Sequence, residues 1–225
     1  MAASRVRERL NYKWLNELCT ADLLNEPRRK KRNSNSNMFV VERVISKRQG
    51  KKGTEYFIKW KNWPIWTCSW EPLENLNCFA VRSYTEPSIE GWRLEAAAAA
   101  FVEAVLGILK CKSVRVSFNT NICIDHDIVR YIFKNKGSIA PDGFNLYMKE
   151  DFSRFCLPPF WYYYFDELGE GVSVDFPVKL KTKLGFHSKR FIVNNFDSLE
   201  KGPLIPAEKV SVVIIRKACS KNTIT

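Results

Sequence analysis

Two runs of β-forming residues, separated by a short segment with glycine at both ends, constrain the fold of this chain more than any other feature. Phe39 to Lys47 is rich in valine and isoleucine, Gly50 to Gly53 interrupts the pattern, and Glu55 to Trp60 resumes it. β-branched and aromatic residues favour strands, and glycine favours the tight turns that join them. The sequence therefore predicts a β-hairpin.

A third strand and a helix extend the predicted hairpin. Pro64 and Pro72 break the chain, so only a short strand around Ser69 to Glu71 fits between them. The segment beginning at Cys78 starts like a helix and is interrupted at Pro87. The predicted fold class is α+β, with a small three-stranded curved antiparallel sheet packed by a C-terminal helix.

Charge and cysteine content narrow the class of protein. The formal net charge of +12 favours polyanionic surroundings, which are nucleic acid, chromatin or an acidic membrane surface.

The seven cysteines never form a CxxC pair, which indicates reduced thiols. A single CxxH pair, Cys123 and His126, has no second ligand pair at a suitable spacing, so no metal site is predicted. Because no apolar run suits a membrane span or a signal peptide, we expect an intracellular protein without membrane association.

Residues 1–37 are predicted to hold a short amphipathic helix followed by a basic linker. The helix is indicated by the sequence YKWLNELCTADLL, and the linker carries Arg28, Arg29, Lys30, Lys31 and Arg32 before the polar stretch NSNSN. Such a run is typical of a solvated linker, a nuclear-import signal or an arm that contacts phosphates. These alternatives stay open on the residues alone.

Four tryptophans within eleven residues exceed what the core of so short a segment needs: Trp60, Trp63, Trp66 and Trp70. A trimethylated ammonium has no N–H to donate, so proteins hold it against the faces of aromatic rings, each contact contributing about 0.5–2 kcal/mol. Trp60 and Trp63 straddle the end of a predicted strand, and Phe39 begins the preceding one. These three rings are predicted to line one rim of the sheet.

Three motifs in a fixed order carry a resemblance to a known family. They are FVVERV at 39–44, EYFIKWKNWP at 55–64 and SWEPLENLNC at 69–78. Together they closely resemble the chromodomain of heterochromatin and Polycomb-type chromatin proteins, over about Met38 to Tyr84. We therefore divide the chain into residues 1–37, a chromodomain at residues 38–90 and an uncharacterised region at residues 91–225.

The resemblance implies a binding site for methylated lysine on the histone H3 tail. The cage aromatics of the family fall on Phe39, Trp60 and Trp63. The histone peptide in such domains adds as a β-strand between two segments, here about Met38 to Val41 and Glu74 to Asn77. The residues implied in peptide binding are Val40, Val41, Glu71, Glu74, Asn75 and Asn77.

The chain departs from the family pattern at three positions near the implied site. Phe39 stands where tyrosine is commoner, and Asn62 replaces a usual glycine. Thr67 stands where relatives carry an acidic residue near the methylammonium. Trp70 belongs to the WEP motif of the family, which implies a structural role.

Residues 91–225 are predicted to form an α/β region of undefined topology. Trp92 to Lys110 has strong helix formers, Ser113 to Phe118 alternates like a strand, and Asp125 to Gly137 resembles a helix closed by glycine. The rest of the chain is rich in β-formers.

The sequence favours a nuclear, non-enzymatic chromatin protein without cofactor, catalytic residues or metal. Its expected partner is the methylated H3 tail, and its basic surface permits non-specific contact with DNA or RNA. The alternative is a truncated or divergent histone H3 lysine methyltransferase of the suppressor-of-variegation type, because WLNELCTADLL before a chromodomain resembles the N-terminal region of those enzymes. The closely spaced cysteines and the SET motifs of that family are absent from this sequence. An integration-targeting protein of a mobile element would need a cluster of carboxylates that the sequence does not show.

Overall fold

The structure is a computed structural model that describes residues 39–51, 53–155, 157, 161–167, 169–193 and 198–221. The helix and the basic run predicted within residues 1–37 lie outside these ranges. The strands and helices in chain order are β1 (Val41–Gly50), β2 (Gly53–Trp60), β3 (Ser69–Pro72), α1 (Cys78–Thr85), α2 (Gly91–Lys110), β4 (Ser117–Cys123), α3 (His126–Ile132), β5 (Ser138–Ile139), β6 (Asn145–Tyr147), β7 (Tyr162–Tyr164), β8 (Glu170–Val193) and β9 (Ser198–Ser220). Short 3-10 helices cover Ile65–Thr67, Leu73–Asn75 and Lys149–Phe155.

Strands β1, β2 and β3 form an antiparallel sheet in that order, and α1 packs against it. We call these elements the N-terminal unit. Two register irregularities lie within β1, near Arg43 and Ser46, and such bulges increase the bend of a strand. One core cluster consists of Val44, Tyr56 and Ile58, against which Val41, Trp60, Leu76, Val81 and Tyr84 pack. Ile45, Phe57 and Ala80 are buried as well. The predicted α+β arrangement of a three-stranded sheet and a C-terminal helix is confirmed.

Local sequence explains where α1 begins and ends. The side chain of Asn77 accepts a hydrogen bond from the backbone N–H of Ala80 at 2.8 Å, which satisfies one of the unpaired donors of the first turn. The helix ends at Thr85, two residues before Pro87, where the sequence predicted an interruption.

Elements α2 to β9 form a second, larger unit, which we call the C-terminal unit. Its sheet is antiparallel, has the strand order β4-β9-β8-β6-β5, and is joined by β7 along β8. Alternate residues of β9 are buried in its core, as a strand with one covered face requires. The largest fully buried side chains of this core include Phe101 and Leu109 of α2, Ile132 of α3, Val178 of β8, and Val210, Val212 and Ile214 of β9.

Two predictions for the C-terminal unit are wrong in their boundaries. The strand predicted at Ser113 to Phe118 begins only at Ser117. The reason lies in Arg216, whose guanidinium donates to the carbonyl groups of Ser113, Arg115 and Cys111, so these groups bond a side chain and not a neighbouring strand. Val114 is 98% exposed, so the apolar alternation in this segment does not face a core.

The helix predicted from Asp125 to Gly137 is shorter than expected. It spans His126–Ile132, because Asn135 and Gly137 adopt left-handed backbone angles of +58° and +74°. The side chain of Asp125 makes no capping hydrogen bond.

The two units are packed together along the β8–β9 hairpin. The distal half of this hairpin carries Phe186, whose ring lies 5.7 Å from that of Phe57 in β2. Arg130 of α3 donates to the carbonyl groups of Ile45 at 2.9 Å and Tyr84 at 3.0 Å, and its guanidinium lies 4.1 Å from the Tyr84 ring centroid. The N-terminal unit and the helices of the C-terminal unit therefore share one side of a long two-stranded ribbon.

A buried cluster of charges lies at the junction of the two units. Arg43 of β1 contacts Glu208 of β9 at 2.6 Å and Asp125 at 3.2 Å, and Arg93 of α2 contacts Asp125 at 2.7 Å and Asp127 at 2.8 Å. Burial alone lowers the pKa of Arg43, but the hydrogen bond to Glu208 and the surrounding carboxylate charges outweigh it and raise the pKa above its ordinary value. The cluster links β1 of the N-terminal unit with α2 and β9 of the C-terminal unit. The domain boundaries drawn at residues 37 and 90 stay predictions.

Within the described residues, no helix combines the length and the apolar character needed to cross a membrane.

Candidate functional site

The three rings predicted to form a cage lie together at the rim of the N-terminal sheet. The ring centroids of Phe39 and Trp63 are 5.1 Å apart with planes at 84°, and those of Phe39 and Trp60 are 6.2 Å apart at 65°. Phe39 is 52% exposed and Trp63 is 45% exposed, while Trp60 is partly buried. Rings of a protein core are not left half exposed in this way. The arrangement leaves aromatic surface of Phe39 and Trp63 accessible to solvent beside the partly buried Trp60.

A chain of hydrogen bonds holds Trp60 in place. Its indole N–H donates to the hydroxyl of Ser69 at 3.0 Å, and that hydroxyl donates to a carboxylate oxygen of Glu71 at 2.6 Å. The amide of Asn75 donates to the other oxygen of Glu71 at 3.0 Å. The hydrogen bonds link the ring at the end of β2 with β3 and the segment after it, so the three-ring cluster and the implied peptide segment are positioned together.

The turn that carries Trp63 is fixed by Lys59 and Asn62. The Lys59 ammonium donates to the carbonyl groups of Trp60 and Trp63, both at 2.7 Å, and pairs with Glu42 at 2.8 Å. Asn62 adopts a φ of +63°. This left-handed conformation favours glycine and is tolerated by asparagine, which explains why asparagine fits where the family usually has glycine.

The segments implied in peptide binding flank the same small core. Val40 is exposed, and its carbonyl accepts from the backbone N–H of Lys61 at 2.9 Å. Val41 on one side and Leu76 on the other pack against the core of the N-terminal unit. Glu74, Asn75 and Asn77 are exposed, although Asn77 also caps α1, and Glu71 is held by the bonds described above.

The positions that depart from the family pattern have clear local roles. The Thr67 hydroxyl donates to the carbonyl of Pro64 at 2.6 Å, so this position closes a 3-10 turn and supplies no negative charge. Trp66 is exposed. Trp70 packs on Phe57 with centroids 5.0 Å apart and lies 4.0 Å from the guanidinium of Arg48, in agreement with the implied structural role.

Sequence reasoning missed Ser69 and Lys59 as supports of the cage. Ser69 precedes Trp70 directly, and its alternation with Glu71 along β3 was the one available signal. For Lys59, the carbonyl groups that it binds become close only once the turn has formed. The basic run Arg28 to Arg32 lies outside the described residues.

The CxxH pair is split between two environments. Cys123 is exposed on β4, whereas His126 is buried with its Nε2 3.3 Å from the carbonyl of Lys209. Burial lowers the pKa of His126 below its ordinary value. Across the described ranges, no group of three or more histidine, cysteine, aspartate or glutamate side chains is arranged to hold a metal ion.

Comparison with protein families decides what the N-terminal unit is. Residues 39–86 match the Chromo (CHRromatin Organisation MOdifier) domain family. This segment is a chromodomain. The prediction from the three sequence motifs is thereby confirmed.

The curated relatives match the chain in the chromodomain. "Chromobox protein homolog hpl-1" of Caenorhabditis elegans is 58% identical over 45 residues, which are 20% of this chain and 24% of the relative. "Heterochromatin protein 1" of Drosophila melanogaster is 42% identical over 40 residues, 18% of this chain and 19% of the relative. "Histone-lysine N-methyltransferase SUV39H2" of Homo sapiens is 43% identical over 44 residues, 20% of this chain and 11% of the relative.

The chain thus spans about a quarter of the length of the chromobox relative, and less of the other two. No solved structure matches the chain.

Proposed function

We propose that this chain is a nuclear chromatin-binding protein of heterochromatin whose chromodomain recognises methylated lysine on the histone H3 tail. The observation that carries the proposal is the rim cluster of Phe39, Trp60 and Trp63, in which edge-on ring contacts leave Phe39 and Trp63 about half exposed. A methylated ammonium is weakly hydrated, so it gains more from ring faces than from water.

The edge of β1 offers a place for the histone backbone. Beyond Val44 this edge is covered, because Arg130 donates to the carbonyl groups of Val44 and Ile45. The segment from Phe39 to Glu42 lies before the covered part of the edge, and its first residue, Phe39, belongs to the ring cluster. A peptide strand added at this segment would make main-chain hydrogen bonds while its methyl-lysine enters the cage.

The charges near the cage favour the trimethylated state. Thr67 supplies no carboxylate, and the carboxylate of Glu42 is paired with Lys59. A dimethylated ammonium retains one N–H that needs an acceptor, whereas a trimethylated ammonium does not. We therefore expect trimethyl-lysine to bind at least as tightly as dimethyl-lysine.

The proposal includes no enzymatic activity. The similarity to the methyltransferase SUV39H2 covers 44 residues that belong to the chromodomain. Incubation of the chain with histone H3 and S-adenosylmethionine is expected to give no methyl transfer, and measurable transfer would contradict this part of the proposal.

A titration with unmodified, mono-, di- and trimethylated H3 tail peptides tests the proposal. Trp60→Ala removes one ring and should weaken binding of the trimethylated peptide by about 2- to 30-fold, the range that corresponds to 0.5–2 kcal/mol. Trp92→Ala is the matched control, because Trp92 is 67% exposed at the start of α2 and belongs to another surface. Equal affinity for all four peptides, or an unchanged affinity of Trp60→Ala, would refute the cage.

A further inference from the structure

The alternation of side chains along β8 and β9 creates a second surface, on the side of the sheet that faces away from the helices. Core residues Val210, Val212 and Ile214 point toward α2 and α3. Residues one position away point to the opposite side. We define the lysine face as a cluster of four lysines on this opposite side: Lys179, Lys181 and Lys183 of β8 and Lys209 of β9. Further along the same side, Lys217 pairs with Asp175 at 3.3 Å and is not counted in the face.

The strand register brings these side chains into neighbouring rows. Lys183 pairs with Lys209, Lys181 pairs with Ser211, and Lys179 pairs with Val213. On β4, Cys123 lies beside Lys209 and Asn121 beside Ser211. The lysine face therefore spans two neighbouring strands and is bordered by exposed amide side chains of β4.

Much of the charge on this face is not neutralised by the described residues. Lys179 pairs with Asp142 at 3.0 Å. No ion pair within the described ranges involves Lys181, Lys183 or Lys209. Lys183 and Lys209 are direct cross-strand partners, and like charges placed opposite each other destabilise a sheet. An anion bound between them would remove this repulsion.

We propose that the lysine face binds the phosphodiester backbone of nucleic acid. Lysines two residues apart on a strand repeat about every 6.8 Å, so the row on β8 presents evenly spaced ammonium groups to a phosphodiester backbone, which carries one negative charge per nucleotide. The half-buried ring of Phe144 lies 5.4 Å from the Lys181 ammonium, and its accessible part adds a surface on which an unpaired base can stack.

The lysine face and the histone site are separated by the sheet itself. Phe186 and Glu208, which contact the chromodomain, lie on the helix side of the β8–β9 hairpin. Lys209 follows Glu208 directly and points to the other side. Binding of nucleic acid therefore leaves the cage accessible, and the inference stands independently of the proposed function.

The test compares two triple variants of the full chain with equal charge loss. Lys181→Gln, Lys183→Gln and Lys209→Gln together alter the face. The control combines Lys51→Gln, Lys112→Gln and Lys149→Gln, which are exposed positions on other surfaces. Binding to a random-sequence DNA duplex and to single-stranded RNA of equal length is measured by fluorescence anisotropy between about 50 and 200 mM salt. The basic run at 28–32 is present in both triples, so it does not affect their difference.

The lysine-face triple should lower the slope of log K against log salt by about 2.7, which is 0.9 for each of three phosphate contacts. Its affinity at about 0.1 M salt should fall by at least tenfold relative to the control triple. Comparison of the affinities for the DNA duplex and for the single-stranded RNA shows which nucleic acid is preferred. Vesicles of anionic phospholipid are titrated in parallel by co-sedimentation. An equal loss in both triples, no binding of either nucleic acid, or a loss seen only with the vesicles would overturn the proposal.

Both triples should remain folded, because all six side chains lie at the surface. Circular dichroism and urea midpoints check this. The single variant Lys183→Glu provides a second test: it places an acidic side chain opposite Lys209, which should stabilise the sheet and still reduce nucleic-acid binding. Retained binding by a folded Lys183→Glu variant would contradict the inference.

Discussion

Arg43→Ala tests whether the buried charge cluster joins the chromodomain to the C-terminal unit. The Arg43 side chain is 13% exposed and that of Glu208 is 7% exposed, and the two terminal guanidinium nitrogens of Arg43, Nη1 and Nη2, donate to Glu208 at 3.0 and 2.6 Å. Removing the arginine leaves buried carboxylates with one cation fewer. Breaking one side of a buried pair destabilises proteins by about 3–5 kcal/mol. We expect a loss of unfolding free energy in that range.

Urea unfolding followed by tryptophan fluorescence measures this loss. With a slope near 3 kcal/mol/M, the expected loss lowers the midpoint by roughly 1–1.7 M. Arg82→Ala is the matched control, because the Arg82 side chain is 75% exposed and its pair with Glu86 is of the i,i+4 type, which contributes about 0.3–0.5 kcal/mol.

A double-mutant cycle with Glu208→Gln isolates the coupling. Glu208 also accepts from the backbone N–H of His126 at 2.7 Å, so the single variant loses more than the ion pair. The double variant should be less destabilised than the sum of both singles by about 2 kcal/mol or more. If Arg43→Ala costs no more than Arg82→Ala, the cluster does not hold the units together and the reasoning is refuted.

Two further predictions concern pH and backbone conformation. Burial lowers the pKa of His126, so below about 6.5 the unfolded state binds the proton more readily and stability falls, by at most about 1.4 kcal/mol per pH unit. His126 is therefore expected to contribute to a fall in the urea midpoint between about pH 7 and 5. In His126→Gln this fall should be smaller, and a fall of the same size would exclude His126 as its origin. Gly107→Ala, in open space on α2, should raise stability by about 0.5–1 kcal/mol. Gly137→Ala should lower it, because its φ is +74° and the new Cβ would lie 2.5 Å from the Tyr147 ring; equal melting temperatures for the two alanine variants would contradict both assignments.

The chromodomain could be predicted because its determinants are close together in the sequence. Strand propensity, the glycine-bounded turn and the two prolines all lie between Phe39 and Pro72. The proximity of Phe39, Trp60 and Trp63 could be predicted for the same reason, since Trp60 and Trp63 flank one turn. Residues that are close in sequence were therefore sufficient to predict both the three-stranded sheet and the aromatic rings at its rim.

The C-terminal unit could not be predicted to the same extent because distant residues decide its local structure. The strand at Ser113 fails to form where the sequence alternates, because Arg216, about a hundred residues later, takes the carbonyl groups of that segment. The long β8–β9 hairpin and its contact with the chromodomain depend on pairings such as Phe57 with Phe186. No periodicity within either segment reports such a contact.

Adjacent residues of β9 serve opposite sides of the molecule. Glu208 reaches Arg43 of the chromodomain, and Lys209 belongs to the lysine face. The two-residue repeat of a strand is thus the device that sorts acid to one side and base to the other. Deletion of a single residue before Glu208, with the preceding register kept, would exchange these sides, placing Lys209 against Arg43 and the Glu208 carboxylate on the side of the lysine face. The register of β9 therefore decides which side of the sheet carries the Glu208 carboxylate and which side carries the Lys209 ammonium.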